Sequence, residues 1–203
     1  MNYIFDFDGT ICDSFDLFIS IINKYSVRFN KGKISPNDIR NTGIEALSRK
    51  YKLNKFQVIL LVYMGRREFV RHISELRVFP NLSRVLRILS KKNTLYIVSS
   101  NSKKNIEKFL KKNDLGGVFD FVVGSPSLFQ KDIKIKKVIK KYNLKKEETY
   151  YIGDEIRDVI AGQKSGVKTI AVSWGYESSK LLHTVNPNMI LNDPKELLTL
   201  PIS

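Results

Sequence analysis

Two carboxylates, Asp6 and Asp8, stand two positions apart at the end of the run YIFDFDGT, and Gly9 and Thr10 follow at once. Residues two apart on a strand share a face, so Asp6 and Asp8 point one way while Phe5 and Phe7 point the other. Like charges this close repel, so either one carboxyl holds a proton or a cation sits between them. Asp-Gly flanked by hydrophobic residues is also a hairpin signal. Against that reading, ICDSFDLFISII continues as a helix rather than as a pairing strand. Other polar residues follow apolar runs in the same way. Ser99, Ser100 and Asn101 come after LYIV, Asp154 and Asp158 after TYYIG, and Lys131 stands ahead of a lysine-rich helical stretch. Asp154 adds a third oxygen ligand to the pair, and an oxygen-only set favours Mg²⁺ over zinc.

These residues must be positioned by the elements they terminate. Strands are expected at NYIFDF, LYIVSS, VFDFVVG, TYYIGD and KTIAVSW, with NMIL as a short sixth. Helical stripes lie between them: Leu82, Val85, Leu86 and Leu89; Ile106, Phe109 and Leu110; Ile135, Val138, Ile139 and Tyr142. A further helix over 156–165 should end at Gly166. Alternation of strand and helix implies an α/β fold, an open parallel sheet with helices on both faces. In such sheets ligands bind beyond the carboxyl ends of the strands, which is where the acids, the serines and the lysine converge.

Residues 15–78 break the rhythm. They carry helical patterns and no convincing strand, so we expect a small all-helical insert, with Ser35 capping a helix whose first position is Pro36. The run FQVILLVYM inside it reads as a buried helix. The expected division is a Rossmann-like core of residues 1–14 and 79–203, with a helical cap at 15–78.

DFDGTICDS, IVSSN, QKDIK and YIGDEIRD occur in the order and spacing of the haloacid dehalogenase-like hydrolases, and the chain resembles their phosphoglycolate phosphatase-like branch. The resemblance implies a Mg²⁺-dependent phosphatase acting on a small phosphorylated substrate through an aspartyl-phosphate. Asp6 would be the nucleophile and Asp8 the general acid and base. Mg²⁺ would be held by the Asp6 side chain, the Asp8 backbone carbonyl and Asp154. Thr10, Ser99 and Ser100 would contact the substrate's phosphoryl group, and Lys131, with Lys134, Lys136 and Lys137 nearby, would bridge it to Asp6. Asp158 reads either as a partner of that site or as an acid in the first turn of its helix. SWGY at 173–176 reads either as a loop beside the site or as an aromatic strand end. Asn81 stands where the family carries glycine, and asparagine tolerates the same left-handed backbone. A phosphomutase of the same fold, a phosphatase of nucleotides or nucleic-acid ends, and a non-catalytic basic binding module are the alternatives.

Composition sets the bounds. The 203 residues suffice for one ample core. Their 35 basic against 20 acidic residues give a net charge of +15, a field that attracts nucleic acid or phosphorylated molecules. The lysines nevertheless fall on helix faces, so nucleic acid is not the favoured partner. Arginines of the insert (Arg28, Arg40, Arg49, Arg66 and Arg67) suggest an anionic leaving group. A single cysteine, Cys12, excludes an internal disulfide and suits a reducing compartment. With no basic leader and no membrane-length apolar run, the expected location is the cytoplasm.

Overall fold

A computed structural model describes residues 1–125 and 130–200, with the side chains of all except Ile44, Glu45, Lys55, Val62 and Arg66. The first strand, β1 (Asn2–Phe5), is followed by a two-residue strand β2 (Cys12–Asp13) and three helices, α1 (Phe15–Arg28), α2 (Pro36–Lys50) and α3 (Lys55–His72). A second short strand, β3 (Arg77–Val78), pairs antiparallel with β2 and closes the stem of this helical insert. The chain then alternates: α4 (Leu82–Leu89), β4 (Thr94–Ser99), α5 (Lys103–Lys112), β5 (Phe121–Gly124), α6 (Lys131–Lys141), β6 (Thr149–Gly153), α7 (Ile156–Ser165) and β7 (Lys168–Val172). A short helix α8 (Ser179–Leu182) and a last strand β8 (Met189–Leu191) complete it.

Six strands form one parallel sheet in the order β5-β4-β1-β6-β7-β8. β1 lies between β4 and β6, with Phe5 opposite both Ile97 and Ile152. Because the chain leaves β1 for neighbours on both sides, the crevice at its carboxyl end is the switch point of the sheet. The period of two in β1 separates two cores. Tyr3, Phe5 and Phe7 pack with α4 and α5, whereas Ile4 packs with Ile135, Val138 and Ile139 of α6. The expected stripes of α4, α5 and α6 are the buried ones, and lysines take the exposed faces of α6.

Local signals were accurate where a cap carries them. Ser35 Oγ accepts the Asn37 N–H ahead of Pro36, and Gly166 ends α7 in the left-handed region. Asn81 takes that conformation too (φ 66°). Two expectations need correction. The stretch ending at 78 is not free of strand, because the β2–β3 pairing needs only two residues a side and leaves no periodic trace. The helix FQVILLVYM is not buried throughout: Phe56, Ile59 and Tyr63 are exposed. Their spacing puts these three on one face of α3, and α3 packs against α1.

Candidate functional site

Asp6 follows β1, and its N–H donates to the Ile152 carbonyl of β6 at 2.8 Å, extending the sheet by one bond. The residue is 3% exposed. Oδ2 meets Lys131 Nζ at 2.9 Å, and Oδ1 is buried without a hydrogen-bond partner. A buried carboxylate oxygen with nothing opposite it is costly unless a ligand completes it.

Lys131, the first residue of α6, is buried between two acids, Asp6 and Asp158. Burial alone would pull its ammonium pKa down; the charges of Asp158 and Asp6 outweigh that and raise it. Among the neighbouring lysines, Lys134 donates to the Ser125 carbonyl at 3.0 Å and Lys136 pairs with Asp132, so the lysine brought to Asp6 is Lys131. Asp158 pairs with Lys131 and also stands in the first turn of α7. Oδ1 takes Lys131, while Oδ2 accepts the Glu155 N–H at 3.2 Å in the first turn of α7. Burial, opposed by Lys131, leaves its carboxyl pKa raised to about 6.

Asp8 is held from β4's side of the crevice. Asn101 Nδ2 donates to both its oxygens, at 3.3 and 3.1 Å, while Asn101 Oδ1 accepts the Ser102 N–H and Asn105 Nδ2. Burial first and the neighbouring Asp6 charge second push the Asp8 pKa up to about 7. A carboxyl that exchanges its proton near neutrality suits acid–base work. Sequence reasoning left Asn101 without a role, although it closes the quoted IVSSN motif. Ser99 and Ser100 lie at the end of β4 as expected. Ser99 Oγ accepts the Asn101 N–H at 3.1 Å, whereas Ser100 Oγ is buried and unpartnered beside the crevice.

Asp154, at the end of β6, is fully buried and clasped by two donors. Thr10 Oγ1 reaches its Oδ1 at 2.7 Å and the Tyr176 N–H reaches its Oδ2 at 2.8 Å. Thr10 therefore positions an acid; its hydroxyl is already engaged. The SWGY loop belongs to the site as well. Trp174 Nε1 donates to the Thr10 carbonyl at 3.1 Å, and Tyr176 packs on Phe15 and Phe18 of α1. Two glycines permit this closeness. A Cβ on Gly9 (φ 76°) would stand 2.1 Å from Asp154 Oδ2, and one on Gly175 would stand 2.4 Å from that oxygen.

Five acids (Asp6, Asp8, Asp154, Glu155 and Asp158) thus gather around two cations, Lys131 and Arg157, the latter paired with Glu155. Burial and its acidic neighbours hold the Asp154 carboxyl well above the usual range. An all-oxygen set with surplus negative charge and an orphaned Asp6 oxygen fits a hard divalent cation such as Mg²⁺. The carboxylate oxygens that come within 4.8 Å of one another belong to Asp6, Glu155 and Asp158, a trio that differs from the expected Asp6, Asp8 and Asp154. The backbone carbonyl expected of Asp8 is not a carboxylate, and Asp154 lies outside that trio. Glu155 was the acid overlooked, adjacent to Asp154 in YIGDEIRD.

Residues 3–172 match the haloacid dehalogenase-like hydrolase family. A phosphoglycolate phosphatase of Synechococcus elongatus is 30% identical over 199 residues, covering 96% of this chain and 94% of that protein. The pyrophosphatase PpaX of Bacillus mycoides is 25% identical, with coverage of 96% and 94%. Among solved structures, a predicted phosphatase from Clostridium acetobutylicum superposes with a TM-score of 0.81 at 22% identity, over 98% of each chain. A hydrolase from Streptococcus pneumoniae gives 0.79 at 23%, over 98% of this chain and 96% of its own. At those identities the structural likeness is one of fold. The family match across most of the chain, together with the acids at the end of β1 and β6, makes this chain a member of the haloacid dehalogenase-like hydrolase family.

Proposed function

We propose that the chain is a Mg²⁺-dependent phosphatase that hydrolyses a small phosphomonoester through an aspartyl-phosphate on Asp6. The observation that carries this reading is Asp6 itself. One oxygen meets Lys131 at 2.9 Å, and the other is buried without a hydrogen-bond partner.

In the first half-reaction Asp6 Oδ1 attacks phosphorus while the bond to the leaving oxygen breaks, and Asp8, protonated, gives its proton to the departing alkoxide. In the second, Asp8 takes a proton from water, the water oxygen attacks phosphorus, and the Asp6–phosphorus bond breaks. The products are the alcohol and inorganic phosphate, and both carboxyls return to their starting states. Asn101 aims Asp8 throughout. The unpartnered Ser100 hydroxyl and the Lys131 ammonium meet phosphoryl oxygens as negative charge develops. The Asp6 and Asp154 carboxylates and the Asp8 carbonyl would hold Mg²⁺, which would supply the charge that lets an anionic nucleophile approach an anionic ester.

Residues 15–78 serve as a cap over the core formed by 1–14 and 79–203, and cap movement admits substrate and excludes bulk water. The described residues hold no helix long and apolar enough to cross a membrane, and Cys12 is a buried free thiol. Both suit the cytoplasm. A panel of phosphate esters with Mg²⁺, scored by released phosphate, tests the reading. Metal-dependent turnover that disappears in Asp6→Asn supports it, and undiminished turnover in that variant overturns it.

A further inference from the structure

Between α1, α2, α3 and the catalytic edge lies a cavity of about 440 Å³. Its floor is Asp8, Ser100 and Asn101: the proton donor to the leaving group, a phosphoryl contact and the amide that aims Asp8. Its walls are Phe18, Ile22, Leu47, Val58, Leu61 and Phe69. A volume of this size lies in the range of pockets for drug-sized ligands rather than for a two-carbon acid.

Four of the five arginines expected to greet an anionic leaving group are elsewhere. Arg28, Arg49 and Arg67 are exposed to solvent and do not line the cavity. Arg40 donates to the Gly175 carbonyl at 2.7 Å and lies over the Phe15 ring. The Arg66 side chain lies outside the described residues. Among the described lining residues the one cation is Arg157, and Glu155 already neutralises it. A carboxylate or second phosphate entering here would leave water for a largely apolar wall on which the described residues offer no free positive partner.

Resting on the phosphatase reading, we infer that the substrate's leaving group is an apolar alcohol, aliphatic or aromatic, whose hydrocarbon body fills the cavity under α1–α3. This sets the chain apart from its similar phosphoglycolate phosphatase and pyrophosphatase, whose names specify charged leaving groups. The cap then acts as a hydrophobic receptacle. Burial of the leaving group's hydrocarbon supplies binding energy away from the reacting atoms.

The test is a homologous series of n-alkyl phosphates from ethyl to octyl, with 2-phosphoglycolate and pyrophosphate alongside, all with Mg²⁺. Each methylene buried contributes about 0.8 kcal/mol, so kcat/KM should rise roughly four-fold per carbon until the cavity is filled. Leu61→Arg, a wall substitution outside the catalytic groups, should lower kcat/KM for hexyl phosphate at least ten-fold and spare or improve 2-phosphoglycolate. A second arm measures binding of n-alkylphosphonates, which cannot be hydrolysed, to the wild-type protein by calorimetry. Affinity that climbs with chain length supports the assignment whether or not turnover is seen. Turnover with a flat chain-length profile, or preference for 2-phosphoglycolate over hexyl phosphate, overturns the apolar assignment and leaves the phosphatase intact. Turnover of no ester overturns the phosphatase reading. Phosphonate affinity independent of chain length overturns the assignment in either case.

Discussion

Replacing Lys131 by methionine removes one ammonium and strands two acids. Lys131 is 6% exposed, and the side chains of its partners Asp6 and Asp158 are 4% and 0% exposed, so solvent cannot take the lysine's place. Removing one member of a buried ion pair costs about 3–5 kcal/mol, because the remaining charge is left in a poorly polarisable interior. For a chain of this size that is roughly a 10 °C fall in Tm. The loss depends on pH in a defined direction. Lys131 lowers the Asp158 pKa, which burial raises to about 6, so without the lysine that pKa climbs further. Asp158 then takes a proton at mildly acid pH and relieves part of the penalty. Lys131→Met should therefore be less destabilised relative to wild type at pH 5 than at pH 8. The double variant Lys131→Met/Asp158→Asn, with one stranded charge deleted, should regain about 1–2 kcal/mol of the loss. Urea unfolding of the four proteins at both pH values gives the cycle. A single-variant loss under about 1 kcal/mol, or no recovery in the double variant, would refute the view that this buried triad is held by one ammonium.

Asn101→Ala removes the donors that lower the Asp8 pKa, so that pKa should move above about 7. Because Asp8 must be protonated to release the alcohol, the alkaline limb of the kcat/KM profile should shift to higher pH. Glu177 is buried, and burial, then the charge of Glu155, raise its pKa from 4.5 to about 8. The native state thus holds that proton more tightly than the unfolded chain, and stability falls as pH rises from 4.5 toward 8. Glu177→Gln keeps an acceptor for the Ile156 N–H and removes the charge, so it should stabilise the protein by about 2 kcal/mol at pH 8.5 and by little at pH 5, as read by urea unfolding. Gly9→Ala would force a Cβ to within 2.1 Å of Asp154 Oδ2 at a positive φ. It should cost at least about 2 kcal/mol and abolish turnover, a result that thermal melts and the ester panel separate.

The sheet was legible because its strands are short β-rich runs between stripes of helical period, and because Ser35, Asn81 and Gly166 mark helix ends chemically. The placement of Asp6, Asp8 and Asp154 followed from one rule, that polar residues just past parallel strands share an edge, whereas Lys131 heads α6 and its role came with the family resemblance. Three features could not be read that way. Asn101 and Asp8 are 93 positions apart, and nothing local says that one amide will hold both oxygens of that carboxylate. Thr10 looked like a ligand for phosphate because a hydroxyl's partner is set by the fold, and here the partner is Asp154. The insert's arginines suggested an anionic substrate, yet charge counted along a helix does not say which face meets the cavity. The exposed Phe56, Ile59 and Tyr63 have the same origin, since helical spacing groups them on one face without saying what covers it.

The claim on which the rest depends is that Asp6 becomes covalently phosphorylated. Rapid acid quenching of the protein during turnover of a phosphate ester with Mg²⁺, followed by borohydride reduction, converts an aspartyl-phosphate to homoserine, which peptide mass spectrometry can locate. The account predicts homoserine at position 6 and unmodified aspartate at positions 8, 154 and 158. Turnover with no homoserine at position 6, or with the label on another acid, would contradict it.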